Sequence, residues 1–171
     1  MDRGGFHRPR PEDAPGVPGD EQGAGRDKGA PRQNDSEKRF NEEKGDDYMQ
    51  LMTPEIEKAL RRYPLYSQDG KGGDSKIVVK YFGGSAATWL VTEGEPMKNG
   101  DWMLYGFATL GLPDDFAPGK LLWEWGYVTL RQLQELRLPP FGLGVERDIM
   151  IEPGKHRVKD EVFMCRQYGG D

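Results

Sequence analysis

The sequence predicts an α+β domain with a mostly antiparallel sheet of about five strands and two short helices, behind a disordered N-terminal tail. Three observations carry that prediction. Runs of β-branched and aromatic residues (KIVVKYF, AATWLVTE, DWMLYGFATLG, LLWEWGYV) recur at hairpin-length intervals, the pattern of neighbours that run antiparallel. Two other segments, PEIEKALRR and LRQLQEL, place apolar residues at helical spacing behind capping residues. The first 47 residues are crowded with Pro, Gly and mixed charge, with only scattered apolar residues such as Phe6, Val17 and Phe40. Such a stretch buries too little surface to offset its ordering entropy. The expected organisation is therefore a tail, 1–47, and a single compact domain, 48–171.

The elements follow in order. Thr53 is a suitable N-cap, Pro54 is tolerated at the first helical position, and Pro64 stops the helix from running on. Ile56, Ala59 and Leu60 share its apolar face. Strands are expected at Lys76–Phe82 and Ala87–Glu93, joined at Gly83 and Gly84, then at 101–111 and 121–128. Thr129 is followed three residues later by Gln132, a capping-box spacing, and Val128 and Leu133 occupy the positions of a hydrophobic staple. The fourth strand is thus expected to turn directly into a helix with Leu130, Leu133 and Leu136 as its stripe. A last strand is expected at Glu146–Ile151, and Val162, Phe163 and Met164 are expected to dock the final stretch.

Composition bounds the function. The net charge of -5 and isoelectric point near 5.2 argue against direct nucleic-acid binding through phosphate contacts, which needs a basic stripe. The single cysteine, Cys165, suits a reducing compartment. No apolar run reaches membrane-spanning length, and the N-terminus has no apolar signal core. A cytoplasmic protein without membrane contact is expected.

The most aromatic stretch, LLWEWGYV, contains a carboxylate. Alternation puts Trp123, Trp125 and Tyr127 on one face of the strand, and Leu122, Glu124, Gly126 and Val128 on the other. Gly126 leaves open space beside Glu124. Other charges interrupt apolar faces: Lys80 between Val78 and Phe82, Glu93 after Trp89 and Val91, and Arg147, next to Asp148, alternating with Ile149 and Ile151. Neighbouring strands would bring these charges together as a structural ion-pair network, in which Glu124 partners Lys80 or Arg147. The competing reading is a binding cleft in which a carboxylate beside aromatic walls orients a polar ligand. Its candidate residues are Lys80, Trp89, Glu93, Trp123, Glu124, Trp125, Tyr127, Arg147 and Asp148.

Catalytic signals are thin. His7 and His156 are the only histidines, too few with one cysteine for a nitrogen-and-sulfur zinc site. GxSxG, GxGxxG and P-loop patterns are absent. Carboxylates for a magnesium-type site are present (Glu93, Asp114, Asp115, Glu124, Glu146, Asp148), as in any acidic protein. Neither a metal nor a cofactor is expected.

The combination of TPE near a helix start, VVKYF, WLVTE, EWGYVTLRQLQEL and VERD resembles a family of small bacterial proteins of unknown function often encoded on conjugative plasmids and other mobile elements. The resemblance covers roughly Leu51 to Ile151. Thr92 and Glu93, then Glu124, Gly126, Tyr127 and Leu130, then Glu146, Arg147 and Asp148 match its pattern. It implies no assigned activity and an accessory setting in plasmid maintenance, transfer or defence evasion. The leading expectation is a non-enzymatic module that binds a protein partner, with the tail as a second contact; inhibition of a host defence nuclease is one form of it. The alternative is a carboxylate-based, metal-assisted hydrolase or nuclease, against which stands the lack of a strand Glu-x-Lys, since Glu95 and Gly126 follow Glu93 and Glu124 two positions on.

Overall fold

The computed structural model describes residues 50–84 and 86–162, which belong to the second of the chain's two units, Met49–Asp171. The expected tail, 1–47, and the expected docking residues Phe163 and Met164 lie outside the described residues. No helix among those described is long and apolar enough to cross a membrane.

Helix α1 (Pro54–Leu60) starts where its capping chemistry puts it. Thr53 Oγ1 accepts from the Ile56 N–H at 3.4 Å, and Ile56, Ala59 and Leu60 are buried on one face. Strands β1 (Val79–Gly83), β2 (Ala87–Pro96), β3 (Trp102–Thr109), β4 (Glu124–Thr129) and β5 (Glu146–Arg147) make one five-stranded sheet in the order β4-β3-β2-β1-β5. Every neighbouring pair is antiparallel. Helix α2 (Leu130–Glu135) leaves β4 at Thr129 through a complete capping box: Gln132 N–H donates to Thr129 Oγ1 at 3.1 Å and Thr129 N–H to Gln132 Oε1 at 2.9 Å.

Both helices pack on one side of the sheet, the helix face. There Ile56, Leu60, Leu130 and Leu133 meet Val79, Tyr81, Val91, Trp102 and Leu104 in the main core. On the back face a smaller cluster joins Ile77 and Leu90 to Val158 and Val162, with Phe107, Trp123 and Ile151 at its margin. Val158 and Val162 belong to a helical turn at 158–162.

Strand limits differ from the sequence expectation for identifiable reasons. The chain bends at Val78, whose N–H still donates to Val91 O, and Lys76 and Ile77 before it meet the C-terminal segment through a Lys76–Arg157 bridge and the bond from Ile77 N–H to His156 O. β4 begins at Glu124 because Leu121 and Leu122 fold back on Pro113 and Leu112 instead. β5 stops after two residues because the Asp148 carboxylate accepts the Met150 N–H at 2.9 Å, turning the chain out of the sheet.

β2 carries a bulge. Val91 is opposite Gly106 and Glu93 opposite Tyr105, so Thr92 is the extra residue. Trp89 and Val91 therefore face the helices, whereas Glu93 has crossed to the back face and Gly94 takes its place against Leu60 and Leu104. A Cβ at Gly106 would fall on the Leu90 carbonyl, so only glycine fits where β3 passes the bulge.

Candidate functional site

Two glycines make the hollow on which the site is built. Gly106 of β3 and Gly126 of β4 are directly opposite each other, and neither puts a side chain on the helix face. The result is a groove of about 260 Å³ walled by Trp89, Val91 and Ala108 on one side and Glu124 and Val128 on the other. Leu110, Leu112 and Leu122, from the connection between β3 and β4, complete its mouth. These three remain 60%, 56% and 37% exposed, large values for leucines that line one hollow. Space beside Gly126 is open: a Cβ there would meet nothing within 4 Å.

Glu124 is exposed on the groove wall. Among the described residues no cation or hydrogen-bond donor pairs with its carboxylate.

The back face of the same strands carries a ladder of rings. Trp123 stacks on Phe107 (5.3 Å between centroids), Phe107 meets Trp125 (5.0 Å), Trp125 stacks on Tyr105 (5.6 Å), and Tyr105 meets Tyr127 (4.8 Å). Offset and tilted contacts of this kind are those that aromatic quadrupoles favour. At Tyr127 the ladder meets Tyr66, the two hydroxyl oxygens lying 3.5 Å apart.

The four charged residues that sequence alternation was expected to gather are dispersed. Glu93, 1% exposed, accepts the N–H groups of Tyr66 and Gln68, each at 2.8 Å. Tyr66 has a positive φ of 72°, which turns both amides toward one carboxylate in an anion-holding nest. Gln68 locks the same loop, donating to Lys76 O and Thr92 O and accepting from Lys76 N–H. Lys80 pairs with Asp148 (3.2 Å) and Glu161 (3.3 Å), and His156 Nδ1 lies 3.3 Å from Glu161. Arg147 sits opposite Tyr81 and donates through Nε to Gln50 O at 3.2 Å. Burial pushes the Tyr81 phenol well above its ordinary pKa, an effect partly offset by the charge of Arg147.

The expected ion pairing of Glu124 with Lys80 or Arg147 is thus corrected. β4 and β1 are separated by two strands, and β5 lies beyond β1. Of the nine candidate residues, Trp89 and Glu124 enter the groove by their side chains. Trp125 and Tyr127 border it while their rings join Trp123 in the ladder. Lys80 and Asp148 are brought together with each other, and Glu93 and Arg147 stand apart. Sequence reasoning put Leu122 on the face of Glu124 without making it a candidate, and missed Gly106, Ala108, Leu110 and Leu112. The available signals were the glycine inside the YGF strand pattern and the leucines flanking a connection otherwise read as polar loop. Among the described residues no three His, Cys, Asp or Glu side chains are grouped to hold a metal ion.

Searches among curated proteins and among solved structures found no match. The motifs around the groove strands nevertheless lie within a family pattern that matches residues 51–166. By that match the chain belongs to the DUF2958 family, proteins of unknown function.

Proposed function

We propose that this chain is a non-enzymatic protein-binding module and that the glycine-floored groove beside β4 is its contact surface. The observation that carries the reading is the exposure of Leu110, Leu112 and Leu122 around a hollow of about 260 Å³. Exposed apolar side chains gathered at one concavity mark interaction sites more often than scattered ones do. The hollow is smaller than the roughly 300–1,000 Å³ of small-molecule sites, and suits side chains presented by a partner. The carboxylates needed by a metal-assisted hydrolase are divided between the groove wall, the backbone nest and an ion pair with Lys80, which favours binding over that alternative. The motif resemblance supplies the setting: an accessory protein of a plasmid or other mobile element, with inhibition of a host defence nuclease as one form of such binding.

Site-specific photo-crosslinking tests the reading. A photoreactive side chain at Leu122 is expected to label a host protein that the same group at Ile149, 69% exposed, does not label. Gly126→Leu fills the groove from an open position and is expected to suppress that labelling. Equal labelling at both positions, or labelling indifferent to Gly126→Leu, would overturn the assignment.

A further inference from the structure

Sheet edges in folded proteins are blunted by short strands, charged side chains (Lys above all), Pro residues, bulges or a covering element. β5 is such an edge, two residues long. Of these devices β4 has a single charge, Glu124 at its first position. Its six residues pair with β3 without a slip, the run contains neither Lys nor Pro, and Glu124, Trp125 and Gly126 are exposed. Among the described residues no strand pairs with its outer side.

Resting on the binding-module reading, we infer that the partner docks as an extended peptide segment added to β4 as a sixth strand, with a Lys or Arg facing Glu124 and a large apolar side chain over Gly126. A neighbouring strand places its side chains opposite those of β4 on each face. On the helix face β4 offers Glu124, Gly126 and Val128 in succession. Opposite Gly126 nothing blocks a long side chain from leaning across the strand into the groove between Trp89, Leu112 and Leu122. Two positions along, the same face of the segment meets the Glu124 carboxylate, which has no counter-charge among the described residues. A cation there completes an ion pair at the rim of an apolar site, and an acid is repelled. The recognised pattern is therefore a Lys or Arg and a large apolar residue separated by one residue.

A second copy of this chain fits the site less well. The run from Leu121 to Thr129 contains no Lys or Arg, so β4 paired with itself leaves both Glu124 carboxylates unmatched.

The test uses the full chain and two capped, fluorescently labelled peptides: Thr-Leu-Thr-Lys-Thr-Leu-Thr, and the same sequence with Glu in place of Lys. Anisotropy titration is expected to show the Lys peptide binding about tenfold tighter, and Glu124→Gln is expected to bring the two within about twofold. On binding, amide exchange followed by NMR is expected to slow at alternate residues of β4, the signature of a newly paired edge. A Lys preference that is absent, or that survives Glu124→Gln, would overturn the proposal. So would unchanged exchange at β4, or a mass showing that β4 pairs with a second copy. If the peptides fail while the Leu122 cross-link persists, strand addition falls and the binding-module reading stands; if both fail, both fall.

Discussion

The two edges of the sheet are finished in opposite ways. At the β5 edge the strand is short, Asp148 turns the chain away, and Lys80 is clamped between Asp148 and Glu161. At the β4 edge a longer strand stays open, two opposed glycines hollow the surface behind it, and Glu124 stands without a partner among the described residues. Charge on the first side is engaged in holding the C-terminal turn to the sheet. On the second side the Glu124 carboxylate engages no cation or donor among the described residues. The same residue type therefore has different surroundings in one fold: Glu93 of β2 and Glu161 of the turn at 158–162 are tied into the scaffold, whereas Glu124 is exposed at the sheet edge.

Substitutions that break this contrast are expected to differ widely in cost. The largest effect is expected from Gly106→Val, about 3 kcal/mol or more, because its Cβ would fall on the Leu90 carbonyl. Its opposite number, Gly126→Val, is expected to change stability by less than about 0.5 kcal/mol. Urea denaturation of the two variants measures this directly, and equal losses would mean that the hollow does not have the floor described. Next comes Lys80→Met, which leaves Asp148 and Glu161 facing each other. Its cost is expected to be about 2 kcal/mol, below that of a fully buried pair because the Lys80 side chain is 17% exposed.

Thr129→Ala sharpens the comparison at the junction of β4 with α2. Loss of the cap is expected to cost about 1 kcal/mol, and a thermal melt that does not move would show that the helix stands without its box. Glu124→Gln is expected to leave the denaturation midpoint within about 0.5 kcal/mol of the parent, since no described cation loses a partner. A loss of 1 kcal/mol or more, by the size of buried charged bonds, would restore a structural role to this carboxylate. Smallest of all is the expected effect of deleting 1–47, whose composition supports no core. Calorimetry of the truncated chain is expected to give an unchanged transition temperature.

Local chemistry made much of the fold legible. Thr53 and Thr129 could be placed because a cap is an interaction within three residues of chain. The faces of β4 could be assigned because its alternation is unbroken, and Glu124, Gly126 and Val128 do share one side. The same counting failed on β2, where a single bulged residue, Thr92, sends Glu93 to the back face. Nothing in WLVTEGEP marks that bulge, since its site is set against β3, where Gly106 lets the backbones approach.

The sequence by itself determined where α1 and α2 begin, which runs supply β1 to β4, and that a glycine leaves space next to Glu124. These depend on backbone propensity, capping and a period of two, all of which act within a few residues. Only the tertiary structure decided which charges meet. Strand order carried Glu124 away from Lys80 and Arg147, and register set Gly106 across from Gly126 to open the groove. Pairing between distant segments is chosen by the burial of whole faces rather than by any one side chain. A charge on a strand therefore acquires its partner, or is left without one, only once the sheet has assembled around it.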